Sequence, residues 1–129
     1  MSRDRERRQH VKIGEFVKQC GTTKDTVRYY EELMLIQPDA SNQYKEYSQK
    51  NIEDFRVIKE MQNLGLSLKI IQSVFKMKKK SGCGSQKLIR DVTIALEKQE
   101  TFLMNEEIKI RNQRKQLRLL SAKLQSLIV

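Results

Sequence analysis

The sequence predicts a mostly α-helical chain: a small helix-turn-helix domain with a hairpin wing, followed by one long coiled-coil helix. Three observations carry that reading. Every aromatic residue except Phe102 precedes the lysine run at 78–80, and the five glycines end at Gly84, so the packed core belongs to the first part. Within that part, apolar residues recur at helical spacing in short stretches separated by turn residues. From Ser85 onward neither Gly nor Pro interrupts the chain, and apolar residues recur every seven positions.

The first helix is predicted from Ile13, Phe16, Val17 and Cys20, which stand at i, i+3, i+4 and i+7, with Gly21 as its stop. Thr22 and Thr23 can cap a second helix whose buried stripe is Val27, Tyr30 and Met34. Lys24, Asp25, Arg28 and Tyr29 then fall on its outward or flanking faces. The turn between the two is as short as a helix-turn-helix requires. Pro38 blocks further helix, residues 39–43 are rich in turn formers, and Tyr44-Lys45-Glu46-Tyr47 alternates as a strand does, so residues 36–47 are predicted as the hairpin wing. Ser48 caps a third helix with Ile52, Phe55, Ile58 and Met61 inward and an end near Gly65. Ser67 caps a fourth with Ile70, Ile71, Val74 and Phe75 inward and Met77 closing the stripe, while Lys76 and the lysines at 78–80 mark a solvated exit. Residues 81–85 read as linker.

The last segment carries a countable register. Ile89, Leu96, Leu103, Ile110, Leu117 and Leu124 are seven apart, and Val92, Gln99, Glu106, Gln113, Leu120 and Leu127 complete a 3-4 heptad pattern. A helix from Ser85 to Ser126 would be roughly 60 Å long, too long to fold back on so small a domain, so its seam is expected to pair with a second copy of the chain. The polar trio Gln99, Glu106 and Gln113 would weaken that coil while fixing its register. The expected organisation is a basic leader over 1–10, a helix-turn-helix domain over 11–76, a linker over 77–85 and a dimerisation helix over 86–129.

Composition narrows the function. The 129 residues hold 26 Lys+Arg against 16 Asp+Glu, a formal net charge of +10, which points to a polyanionic partner. No stretch of 18 consecutive apolar residues exists, and the apolar stripes are claimed by a core and a seam, so no signal peptide, membrane span or membrane-binding face is expected and the chain is read as cytoplasmic. Two separated cysteines and a single His offer no disulfide scaffold, zinc knuckle or His-based site, so no metal, cofactor or enzymatic activity is expected.

The motifs Ile13-Gly14-Glu15-Phe16, Thr26-Val27-Arg28-Tyr29-Tyr30-Glu31, Leu35-Ile36-Gln37-Pro38, Tyr44-Lys45-Glu46-Tyr47-Ser48 and Leu64-Gly65-Leu66-Ser67-Leu68 follow one another in order. Over roughly residues 11 to 75 they resemble the MerR-type transcription regulators. The resemblance implies a winged helix-turn-helix, a helix pair serving as a second wing, and an antiparallel dimer coil. It also implies a palindromic operator between promoter elements spaced too far apart, which the dimer bends and untwists so that RNA polymerase engages both. A nucleoid-associated location follows from that role.

Residue by residue, the resemblance puts Lys24, Thr26 and Arg28 at the major groove, Arg28 being suited to a guanine edge or a phosphate. Tyr29 and Tyr30 would flank the phosphate backbone, with core packing an equal alternative for Tyr30. Tyr44 and Lys45 in the wing, and Arg56, Lys59 and Lys69 on the helix pair, would supply phosphate contacts. The wing departs from the family pattern at Asp39-Ala40, Gln43 and Lys45. Cys83 stands where metal-sensing members place a thiolate, but no second Cys or His follows it, leaving an inert thiol first, then a one-thiol sensor of oxidants or electrophiles, and a metal ligand last. Against the regulator stands a basic coiled-coil scaffold or recombination accessory that binds nucleic acid without sequence preference, and a thiol enzyme is disfavoured for want of a base.

Overall fold

The computed structural model describes residues 10–128 except 42 and 83. Five helices follow in order: α1 Ile13–Cys20, α2 Lys24–Glu32, α3 Gln49–Asn63, α4 Leu68–Ser81 and α5 Gln86–Gln125. Two compact units divide at residue 88, the first holding α1 to α4 and the second most of α5.

In the first unit the caps do what the sequence asks of them. The side chains of Thr23 and Ser67 accept from the backbone N–H groups of Thr26 and Ile70, and Ser48 and Asn51 form a reciprocal capping box at the start of α3. Asn51 is the one buried polar side chain among the described residues, and its amide also donates to the Gln37 carbonyl at 3.2 Å, so the segment after α2 is tied to the start of α3.

Three helix ends share one geometry. At α1, Thr22 N–H reaches the Val17 carbonyl across Gly21 at φ 64°; at α2, Leu35 N–H reaches Tyr30 across Met34 at φ 62°; at α3, Leu66 N–H reaches Met61 across Gly65 at φ 84°. Each is a Schellman turn, and after the last two the following leucine dives into the core. This corrects the expectation for Met34. Because α2 stops at Glu32, the helical period ends there; the left-handed residue swings its side chain outward, 64% exposed, and Leu35 and Ile36 occupy the core instead.

The core gathers Phe16 of α1, Val27 and Tyr30 of α2, Ile52, Phe55 and Ile58 of α3, and Ile71 of α4, with Leu35, Ile36, Tyr47 and Leu66 from the connections. Phe16 sits at its centre, stacked on Tyr47 at 4.4 Å and edge-on to Phe55 at 6.2 Å. Ile70, expected inward, lies at the edge and is 37% exposed, since Ile71 and Val74 take the buried line of α4.

The wing differs from a regular hairpin. Among its described residues the pairing within it is one bridge between Asp39 and Glu46, while Tyr47 pairs instead with Val11 ahead of α1, through bonds of 2.9 and 2.7 Å. Asp39 also accepts from Ser41 N–H at 2.9 Å, a turn that bends the chain away from a ladder. The helix α4 runs on to Ser81, into residues expected to be linker, where Lys78 is held by Asp54 of α3 at 3.6 Å.

In the second unit α5 is a single helix of 40 residues, roughly 60 Å long. Its start is capped by Ser85, whose hydroxyl accepts from Leu88 N–H at 3.1 Å. Along the single chain Ile89, Leu96, Leu103, Ile110, Leu117, Leu120 and Leu124 are exposed and Val92 is half-buried.

Candidate nucleic-acid interface

The second helix of the helix-turn-helix is fixed from behind. Val27 and Tyr30 are its buried face, Tyr30 with 2% of its surface exposed, its ring 5.6 Å from Phe55 and its hydroxyl donating to Gln62 Oε1 at 2.6 Å. Tyr30 is therefore a core residue whose polar end is already spent on α3.

The outward face of α2 then carries Lys24, Arg28 and Tyr29, all exposed, with Thr26 half-buried and its hydroxyl 3.0 Å from that of Thr23. Arg28 is paired with Asp25 one turn back at 3.8 Å; both side chains are solvated, and such a pair holds a guanidinium loosely. Arg28 is thus free to exchange that carboxylate for another anion.

Beside this face lies a cleft of about 310 Å³, open to solvent and lined by Lys12 and Ile13 at the start of α1, Arg28 and Glu31 of α2, and Gln43, Tyr44, Lys45 and Tyr47 of the wing. Three cations therefore face one concavity. Tyr44 stands exposed at its rim with Lys12 Nζ 4.8 Å above its ring. Inside it, Glu31 accepts from Lys45 Nζ and from the Tyr47 hydroxyl, each at 3.1 Å. Burial pushes the Tyr47 phenol above its usual range and the Glu31 carboxylate adds to the effect, so the hydroxyl stays protonated and donates.

Of the residues singled out in the sequence, the cleft brings together Arg28, Tyr44 and Lys45; Lys24, Thr26 and Tyr29 stand outside it on α2, and Arg56, Lys59 and Lys69 on the helix pair. Arg56 and Lys69 are exposed, and Lys59 Nζ lies 5.8 Å from both the Tyr30 and Phe55 rings, closing the back of α2. Five members of the cleft are not among the expected site residues: Lys12, Ile13, Glu31, Gln43 and Tyr47, of which Lys12 and Glu31 carry charge. The sequence carries a signal for Glu31: Lys45 and Tyr47 are two apart, so they point to one side of an extended segment and share an acceptor. Lys12 gives no such signal, being a single lysine at the N-cap of α1.

Cys83 lies outside the described residues. Cys20 sits half-buried on α1, where burial pushes its thiol up and Arg56 opposes only in part. Among the described residues no helix is long and apolar enough to cross a membrane.

Residues 11–78 match the family model of the MerR HTH family regulatory proteins. The mercuric resistance operon regulatory protein of Bacillus cereus is 42% identical over 65 residues, 49% of each chain. A regulator described as a ZntR homologue in Haemophilus influenzae is 33% identical over 73 residues, 55% of this chain and 54% of its own. The similarity to these curated relatives thus spans about half their length. Among solved structures, the lead(II)-bound transcription regulator PbrR691 of Ralstonia metallidurans has the same fold, with a TM-score of 0.57, 21% identity, and coverage of 91% of this chain and 84% of that one. A helix-turn-helix with its wing, followed by one long helix and matched by this family model over more than half its length, makes the chain a member of the MerR HTH family of regulatory proteins.

Proposed function

We propose that the chain is a homodimeric transcription regulator that binds a palindromic promoter operator, distorts the DNA there and so controls RNA polymerase. The observation that carries this reading is the juxtaposition of an outward cationic helix face with a cationic cleft beside it. Lys24, Thr26 and Arg28 would meet base edges, and Tyr29, Tyr44, Lys45 and Lys12 the flanking phosphates. Arg56, Lys59 and Lys69 would extend the phosphate track along the helix pair, and Tyr30 would act by holding α2 rather than by touching DNA. The exposed heptad residues Ile89, Leu96, Leu103, Ile110, Leu117, Leu120 and Leu124, with the half-buried Val92, support pairing with a second copy. A dimer read this way places two α2 helices on two half-sites, and contact energy gained at both offsets a DNA deformation of a few kcal/mol. Residues 11–76 would thus serve as the DNA-binding domain and 86–129 as the dimer arm, in a nucleoid-associated cytoplasmic protein.

The test is selection of duplexes from a random pool, followed by footprinting and bend analysis of the winner. A protected palindrome, lost on Arg28→Ala, is expected. Equal affinity for selected and random duplex would favour the non-specific scaffold instead.

A further inference from the structure

Glu31 is the one acid among the charged residues lining the cleft, the others being Lys12, Arg28 and Lys45, and its side chain is only 12% exposed. Each carboxylate oxygen has one partner from the wing, Oε1 the ammonium of Lys45 and Oε2 the hydroxyl of Tyr47, both at 3.1 Å. Tyr47 cannot shift to suit them. Its backbone is bonded to Val11 in both directions and its ring is stacked on Phe16 in the centre of the core. Ahead of Tyr47, the backbone pairing within the wing's described residues is the Asp39 to Glu46 bridge, with Glu46 also 3.4 Å from His10. Lys45, 58% exposed at the open side, therefore takes its position from a carboxylate that a core tyrosine holds in place.

We propose that Glu31 is a positioning and specificity residue, pairing with Lys45 so that the wing ammonium is withheld from indiscriminate attraction to phosphate. The inference rests on the DNA-binding reading above. An unpaired lysine beside a duplex displaces about one counterion whatever the base sequence. A paired one carries no net charge into the interface. It contributes only where a phosphate stands so that the ammonium, with three N–H donors, reaches it without leaving Glu31. The wing then rewards correct docking and adds little to random contact.

Glu31→Gln tests this, since it keeps the side-chain volume and an oxygen for Tyr47 to donate to while removing the charge that holds Lys45. Binding to a random-sequence duplex, titrated with salt, should show a log–log slope steeper by about 0.9 for each protomer bound. The lead of the selected duplex over the random one should shrink several-fold. In a Lys45→Met background the same substitution should leave the slope unchanged, because the effect runs through Lys45. In the wild-type chain, independently of any variant, amine labelling should be slower at Lys45 than at the exposed Lys24. An unchanged slope in Glu31→Gln of wild-type thermal stability, the same shift without Lys45, or equal labelling of Lys45 and Lys24 would each overturn the proposal. If the wild-type chain bound no duplex, the DNA-binding reading itself would fall and this inference with it; binding by the wild type with no response to Glu31→Gln removes this inference alone.

Discussion

The hydroxyl of Tyr30 and the side-chain amide of Gln62 meet at 2.6 Å, joining the exposed helix of the helix-turn-helix to α3 from the inside. The contact is half-buried, so neither group recovers a full water shell if the other is removed. Tyr30→Phe is therefore expected to destabilise the first unit by about 1 kcal/mol. Urea unfolding followed by circular dichroism would measure it. The salt slope of duplex binding should not change, because the hydroxyl faces α3 and not the cationic cleft; a changed slope would show that Tyr30 touches phosphate after all.

Met34 is the one described residue other than glycine with a positive φ, and its side chain is exposed. A left-handed conformation costs an L-residue roughly 1–2 kcal/mol, part of which glycine returns as chain entropy in the unfolded state. Met34→Gly should accordingly stabilise the first unit by up to about 1 kcal/mol. A lower midpoint in the same urea titration would mean that the methionine makes contacts that outweigh the strain.

Those two residues also show what the sequence could and could not disclose. The core faces of α1 and α3, the caps at Thr23, Ser48 and Ser67, and the heptads of α5 are local patterns, and period and hydrogen-bonding chemistry fix them within a few residues. Met34 fails because a helical stripe says where apolar residues would point if the helix continued, and nothing near Leu33 resembles a glycine stop. The alternation of residues 44–47 predicts Tyr47 as part of a wing strand, yet its ring fills the core and its partner is Val11, 36 residues earlier, a pairing that no short window contains. Glu31 was legible as a motif residue but not as the meeting point of Lys45 and Tyr47, since that depends on how the wing folds over α2.

Asp54 on α3 is a carboxylate whose environment predicts a pH dependence. Burial pushes its pKa up, and Lys78 at 3.6 Å opposes the shift without cancelling it. The folded state therefore binds this proton more tightly than the unfolded state. Its stabilising contribution is present at low pH and is lost as pH rises from the unfolded carboxylate range, about 4, through the raised folded value. Above that window the ionised group is a net burden on the fold. Asp54→Asn should lose nothing at neutral pH, and its stability relative to wild type should climb with pH across the acid window. Thermal melts of both chains over that range test it; a loss of more than about 2 kcal/mol at neutral pH would show that the ion pair outweighs its desolvation.

Cys20 illustrates how burial controls thiol chemistry. With its pKa raised by desolvation, the native thiol holds less thiolate at a given pH than a solvated cysteine, and thiolate is the reacting species. In a Cys83→Ser chain, alkylation at mildly alkaline pH should be slower than for a short peptide thiol and should accelerate to the peptide's rate once urea unfolds the domain. Native labelling as fast as the peptide's would place Cys20 in solvent.

The heptad seam makes a prediction about assembly that separates α5 from the DNA-binding unit. Ile110 occupies the same register as Leu103 and Leu117, and all three are exposed along the single chain. If this stripe is where two copies meet, a carboxylate at Ile110 must be buried without a partner, beside Glu106 and Gln113 that already weaken the middle of the coil. Ile110→Glu should shift the chain to monomer in sedimentation velocity at concentrations where wild type is dimeric. The melting of α1 to α4 should stay as it was, because their core shares no residue with the seam. Binding to a selected palindrome should weaken far more than binding to a single half-site, since only the palindrome depends on two linked copies. A dimer that survives Ile110→Glu would move the contact to another face of α5, where Ile94, Phe102, Met104 and Ile108 are also exposed.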